Sequence, residues 1–249
     1  MLSIIILTKN SEETLADTLE SLKSFGDEIV VVDSNSDDRT NEIAEHLGAK
    51  VYKNEFIDFA TQRNFAISKA NGDWVLYLDD DEEATAEFKK EVKRTIEDYD
   101  KDANIGGYFI HRKTYYFGKD WGFVDRVQRL FYKNRFVAWE GEVHETPKIK
   151  GEFGQVESPV NHYTHRNLTQ MLTKTNEWSE FEADLRFRSG HPQMSWWRFM
   201  RVMMSAFISS YVFNNGYRNG TEGFVEAIYQ SYSMFITYAK LWEKQKDKK

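Results

Sequence analysis

The 249-residue chain reads as an α/β fold: a mixed, mainly parallel sheet flanked by helices, followed by a helical C-terminal extension. Three observations carry that reading. Short apolar, β-branched runs alternate with amphipathic segments through the first third, the pattern of βαβ units. Strand-like runs then follow one another with no helix between them, which makes the sheet mixed. From Leu168 onward the apolar spacing is helical. The expected domains are 1–165 and 166–249.

The elements follow in order. Ser3-Ile4-Ile5-Ile6-Leu7 is a continuous apolar strand, and Thr8-Lys9-Asn10 is the turn after it. Asn10 is placed to cap the next helix, with Glu13 at the capping-box position and Leu15, Leu19 and Leu22 as its apolar stripe. Glu28 to Asp33 is the second strand, and the polar loop Ser34-Asn35-Ser36-Asp37-Asp38 leads to a helix ending at Leu47, with Gly48 as its C-terminal cap. Lys50-Val51-Tyr52 is a third strand, and Phe59 to Ala70 is a helix stopped by Asn71-Gly72. Trp74-Val75-Leu76-Tyr77-Leu78 reads as a strand buried on both faces. Ala84 to Tyr99 is a charged amphipathic helix. Gly107 to Tyr116, Val127 to Lys133 and Arg135 to Trp139 are strands, with Asn134 turning between the last two. Met171–Phe187, Trp196–Phe213 and Gly223–Glu243 are the later helices, and a basic tail ends the chain.

Composition narrows the function. A net charge of −7 argues against an electrostatic nucleic-acid binder. The absence of cysteine excludes disulfides, thiolate metal sites and thiol catalysis. The N-terminus enters an apolar strand with no basic leader, so no secretory signal is read and a cytoplasmic location is expected. No run of about 18 uncharged apolar residues is present, so no spanning helix is expected.

The chemistry concentrates where the buried strand ends, in Asp79-Asp80-Asp81-Glu82. In open α/β sheets ligands bind beyond the carboxyl ends of strands. Clustered carboxylates there repel one another unless a cation shares the site, and a hard divalent ion shared with substrate phosphates is the usual solution. Glu82 and Glu83 also suit the start of the following helix, whose dipole favours acids. Asp33 ends the second strand, where an acid can meet a nucleoside. Arg63 carries a forked guanidinium suited to a diphosphate, or to a surface ion pair. In Trp139-Glu140-Gly141-Glu142-Val143-His144-Glu145, an extended chain puts Glu140, Glu142 and His144 on one face and Glu145 on the other. His162 and His165 are further polar candidates, and alternation in Gln128-Arg129-Leu130-Phe131 brings Gln128 or Arg129 to a cleft wall.

Four pieces stand in a definite order: Ser3 to Asn10, Val31 to Thr40, Gln62-Arg63-Asn64 and Leu78 to Glu82. On these the chain resembles family 2 glycosyltransferases, inverting nucleotide-sugar enzymes with a GT-A (Rossmann-like) fold. Val143-His144-Glu145 and the stretch 214–243 are similar to a bacterial subgroup that includes lipopolysaccharide-core β-glucosyltransferases. The resemblance implies an Asp-x-Asp motif in Asp79 and Asp81, with Asp80 between them. Asp81 reaches Mg²⁺ or Mn²⁺, and Asp79 contacts the ribose or the metal shell. His162 is a late histidine able to join the metal. Thr8, Asn10, Asp33, Arg63, Asp79 and Asp80 then line the nucleotide-sugar pocket. Glu145, with Glu142 second, activates the acceptor hydroxyl, and His144 orients the acceptor or steadies the leaving phosphate. The implied partners are a UDP-sugar donor and a saccharide or lipid-linked saccharide acceptor of a cell-surface glycan.

Trp196, Trp197, Met200, Met203, Met204 and Phe207, with Arg198 and Arg201, admit two uses. Such a helix packs on other protein, including a second copy, or lies on a membrane surface at the inner face of the cytoplasmic membrane. Two other function classes remain open. One is a non-catalytic nucleotide-binding scaffold, separated from an enzyme only by detection of glycosylated product. The other is a nucleotidyltransferase, disfavoured because Thr8-Lys9-Asn10-Ser11 lacks the glycines of a phosphate loop.

Overall fold

The computed structural model describes residues 1–141 and 145–246. Strands β1 (Leu2–Thr8), β2 (Glu28–Asp33), β3 (Lys50–Lys53) and β4 (Trp74–Asp79) lie in the order β3-β2-β1-β4, each neighbouring pair parallel. Thr8 stands opposite Asp33, and Leu7 opposite Asp79. The register therefore brings three polar ends to one carboxyl edge, at the point where strand order reverses between β1 and β4.

The strands are continuously apolar because both faces are covered. Their period of two sends Ile4, Ile6, Leu76 and Leu78 into one cluster with α1 (Leu15–Ser21) and α4 (Ala86–Glu97). It sends Ile5, Val30, Val32, Val75 and Tyr77 into another with α3 (Phe59–Lys69). Helix α2 (Thr40–His46) adds Ala44 to the first.

Beyond β4 the sheet turns antiparallel, as the change of sequence pattern predicts. β7 (Lys119–Tyr132) pairs with β4, Leu130 opposite Leu76. β6 (Ile105–Tyr116) and β10 (Glu152–Thr164) follow, and β5 (Glu82–Glu83) closes on β10 with Glu82 opposite His162. β8 (Phe136–Glu140) and β9 (Thr146–Ile149) form a separate antiparallel ribbon. The expected α/β class, with a mixed sheet flanked by helices, is the observed one.

Three local expectations are corrected. Asn10 does not cap α1: it sits at φ 52°, its Oδ1 accepts the Asp37 N–H, and α1 starts five residues later behind Thr14. Glu82 and Glu83 do not cap α4: they form β5, and the Thr85 hydroxyl caps the helix by accepting the Phe88 N–H at 3.1 Å. The strands β9 and β10 have no counterpart in the sequence reading.

Glu28 fastens the opposite edge of the sheet. Its carboxylate accepts bonds from Ser3 Oγ, Lys50 Nζ and the Asn71 backbone and side chain. Burial pushes its pKa up, but these bonds outweigh burial and bring it to about 2. The stabilisation is complete above the ordinary carboxylate value of 4.5 and is lost as pH falls toward 2. Glu28→Gln should cost about 2 kcal/mol at neutral pH. In urea titrations across pH, the gap to wild type should close over that acid window.

The chain divides into two units, Met1–Thr114 with Val124–Tyr163, and Tyr115–Phe123 with Thr164–Lys249. The sequence division at 165 did not give the second unit the tip between β6 and β7, a two-residue turn with Phe117 at φ 50° and Gly118 at φ 73°. In the second unit α7 (Gly220–Lys246) packs on α5 (Leu168–Arg188) and α6 (Trp196–Ile208), and Ala183, Met194, Val202, Tyr238 and Leu241 form its core. The sequence-predicted helix to Phe213 ends instead in a π-helical turn over Ser209–Phe213. No described helix is long and apolar enough to cross a membrane.

The start of α7 closes against the preceding turn. A Cβ on Gly223 would fall 1.8 Å from the Gly216 carbonyl oxygen, so only glycine fits without moving backbone. Gly223→Ala should destabilise this unit by about 3 kcal/mol, seen as an early transition in thermal unfolding.

Candidate functional site

At the carboxyl edge, Asp79 ends β4 inside a ring of three arginines. Arg129 Nη2 donates to both of its oxygens at 3.0 and 3.2 Å. Arg112 Nη1 lies at 3.5 Å and Arg63 Nη2 at 3.6 Å. Each arginine comes from a different element: Arg63 from α3, Arg112 from β6 and Arg129 from β7. The antiparallel register of β7 on β4 is what turns Arg129 toward this strand end. Burial raises the Asp79 pKa, and Arg129, Arg63 and Arg112 together overcome that and hold it well below the carboxylate range. Arg112 is itself gripped by Asp125, through Nε at 3.1 Å and Nη2 at 2.5 Å.

The ring is not closed. Arg63 Nη1 and Arg129 Nε are buried with no hydrogen-bond partner among the described residues. Arg63 is almost wholly enclosed, its guanidinium 5.4 Å from the Tyr77 ring centre and 5.0 Å from that of Trp139. A buried, unpaired guanidinium N–H is costly unless something accepts from it. An anionic ligand with several oxygens suits that need.

Asp81 has a histidine as its partner. Its Oδ1 stands 3.3 Å from His162 Nε2, and both side chains are largely covered. The β5–β10 pairing sets this contact, helped by the Tyr163 N–H donating to the Asp81 carbonyl. Burial lowers the His162 pKa, but Asp81, and then Glu82, raise it further than burial lowers it. Glu82 is fully buried, and its Oε2 accepts the Asp79 N–H at 3.0 Å. Burial and the neighbouring Asp79 push its pKa up. Among the described residues, no three acid or histidine side chains converge on one metal position.

Asp33, at the end of β2, is fully buried. Its oxygens accept from Thr8 Oγ1 at 3.1 Å, the Ser36 N–H at 2.9 Å, the Ser36 hydroxyl and Asn41 Nδ2 at 3.1 Å. Four donors fill a carboxylate's lone pairs. Asn10 ties the β1 loop to the β2 loop, its N–H donating to Ser36 Oγ at 2.8 Å. Asp80 receives the Ser11 hydroxyl, and its carbonyl accepts from Thr18 Oγ1. Thr8, Asn10, Asp33 and Asp80 thus form one braced rim.

The Gln62-Arg63-Asn64 triplet serves three loops. Gln62 Nε2 donates to Ser34 Oγ at 2.9 Å, and its Oε1 accepts from Asn54 Nδ2. Asn64 exchanges two 2.9 Å bonds with the backbone of Trp139 and so pins β8 to α3. Arg63 Nε donates to Glu145 Oε1 at 3.0 Å. Glu145 therefore joins Asp79 through a shared arginine. Glu142 and His144 lie outside the described residues. Glu140 is exposed beside Lys148, and His165 bonds Glu226 in the helical unit. Sequence reasoning missed Arg112, weighed Glu82 as a cluster acid or a helix-start acid without foreseeing its burial beneath Asp79, and ranked Arg129 no higher than Gln128.

The family described as "Glycosyl transferase family 2" matches residues 3–148. An uncharacterized glycosyltransferase of Rickettsia conorii is 28% identical over 97% of this chain and 90% of its own length. The lipopolysaccharide core biosynthesis glycosyltransferase LpsC of Rhizobium meliloti is 25% identical over 98% of this chain and 92% of its own. A crystal structure of glucosyl-3-phosphoglycerate synthase from Mycobacterium tuberculosis, in complex with Mn²⁺, UDP and glucosyl-3-phosphoglycerate, is similar at 21% identity and a TM-score of 0.37. That match covers 47% of this chain and 44% of the synthase chain, so this chain spans less than half of that protein.

Proposed function

The chain belongs to glycosyl transferase family 2, and from that premise we propose that it moves a sugar from a UDP-sugar to a saccharide hydroxyl, with inversion at the anomeric carbon. The observation that carries the reading is the open arginine ring beside Asp81 and His162. It offers unpaired donors to a diphosphate and a separate carboxylate–imidazole pair.

That pair fits a divalent ion. An oxygen and a nitrogen donor leave most of a six-coordinate shell to phosphate oxygens and water, the habit of Mg²⁺ at phosphates, and Mn²⁺ also accepts imidazole. Such an ion held by Asp81 and His162 would neutralise charge on the leaving diphosphate. Asp79 has its oxygens committed to arginines, so its role is to aim Arg63, Arg112 and Arg129 at the same phosphates.

Thr8, Asn10 and Asp33 form the nucleoside wall. Since Asp33 is saturated within the protein, a uracil or ribose donor reaches it by replacing the Ser36 hydroxyl. Asp80 holds the β1 loop at the pocket rim. Glu145 takes the acceptor proton, and Arg63 fixes its carboxylate. The near full-length similarity to LpsC supports a cell-surface glycan, with lipopolysaccharide core as the leading class of acceptor.

The test is a transfer assay with UDP-glucose, UDP-galactose and UDP-N-acetylglucosamine, Mn²⁺ and core oligosaccharide acceptors. Acceptor-dependent UDP release with a glycosylated product is expected. Stabilisation by UDP and Mn²⁺ with no product across the panel would assign the chain to the non-catalytic class.

A further inference from the structure

Most of the large apolar side chains left exposed fall between Trp196 and Trp242. They are arranged by helix geometry. On α6, Trp196, Met200 and Met204 recur at four-residue spacing, with Trp196 79% exposed. On α7, Phe224, Ile228 and Tyr232 do the same. Residues four apart share a helix face, and α6 packs on α7. The turn between them adds Phe213, 76% exposed. Large exposed apolar patches on soluble proteins usually mark a contact with a partner or a membrane.

Charge decides what covers it. From Gly190 to Thr221 the chain has Arg198, Arg201 and Arg218 and no Asp or Glu, although the whole chain carries −7. Arg198 and Arg201 lie 4.8 and 5.6 Å from the ring centre of Trp197, and Arg218 lies 5.7 Å from that of Tyr217. On α7, Glu226 is buried against His165 and Glu222 is paired with Lys119. A second copy would meet this face through the same face in a two-fold dimer, setting arginine against arginine with no acid from this stretch to pair them. An anionic headgroup layer supplies the missing partner. Tryptophans beside arginines are the side chains that settle at that depth. No described helix is long and apolar enough to cross a membrane, so a bilayer partner would be met at its surface.

We propose that the exposed α6–α7 face docks the protein on anionic lipid bilayers, with Trp196, Met200 and Met204 entering the interface and Arg198, Arg201 and Arg218 on the lipid phosphates. The surface stands independently of the transfer reaction, and its test needs neither donor nor acceptor. The full chain is floated with vesicles of phosphatidylcholine alone, and with vesicles containing about 30% phosphatidylglycerol. It should float with the anionic vesicles, less so as salt rises. Arg198→Gln with Arg201→Gln should weaken binding about thirtyfold, two basic residues' worth of surface attraction. Trp196→Ser with Met200→Ser should weaken it by about tenfold or more. Trp196, Met200 and Arg201 are exposed and Arg198 is half-buried, so thermal unfolding should stay close to wild type and certify the fold. Equal flotation on neutral and anionic vesicles would overturn the proposal, as would failure to float with the fold intact. Sedimentation showing a dimer that Trp196→Ser with Met200→Ser dissolves, without vesicle binding, would give the face to a second copy and also overturn it.

Discussion

Asp81→Asn is expected to lower kcat/KM about a thousandfold. A single well-placed group that stabilises developing charge is worth about two to three orders of magnitude, and a metal site adds several kcal/mol to that role. Asn keeps the size of the side chain but loses the charge a hard cation requires. Chelation of the wild type should produce the same loss, and chelation of the variant should change little. Thermal stability should stay close to wild type, because the backbone bond from Tyr163 to the Asp81 carbonyl does not depend on the side chain. A second readout needs no turnover. Asp81 is the main influence raising the His162 pKa against its burial. In the variant the imidazole should titrate at lower pH, measurable by NMR on the metal-free protein. Full activity in Asp81→Asn would remove Asp81 from the site.

How much of this was visible in the chain itself depends on distance along it. β1, β2 and β4 were legible because they are buried on both faces, and a doubly buried strand writes itself as an unbroken apolar run. β10 was not. It mixes Glu152, Gln155, Glu157 and Asn161 with a glycine and Pro159, residues that argue against a strand when read locally. Its pairing with β6 and β5 overrides those preferences. The acids at the end of β4 were legible as a group, and their separate tasks were not. Asp79 and Asp81 differ by two positions, yet one meets three arginines and the other a histidine. Those partners come from α3, β6, β7 and β10, and only the sheet order brings them together. Arg112 sits in Ile110-His111-Arg112-Lys113, where nothing local separates it from a solvated charge. Glu82 carried a misleading signal, since an acid just before a helix is ordinarily a capping acid.

Glu145→Gln tests the acceptor side, and its expected effect is the second largest. A general base contributes about two to four orders of magnitude, so kcat should fall about a thousandfold. The amide keeps an oxygen for Arg63 Nε, which now donates to the carboxylate at 3.0 Å. Arg63 also keeps Asp79 on its other side at 3.6 Å. The arginine should therefore stay in place, and affinity for UDP, read by calorimetry or thermal shift, should remain within about threefold of wild type, under 1 kcal/mol. The two readouts separate the roles open to Glu145. If it only braces Arg63, nucleotide affinity and stability fall together while turnover of bound donor survives. If it takes the acceptor proton, turnover is lost and donor binding persists. Slow hydrolysis of the UDP-sugar by water should also fall in the variant, because the same carboxylate would activate the water. Retention of transfer within about tenfold of wild type would be too small a loss for a general base, and would pass that role to another side chain.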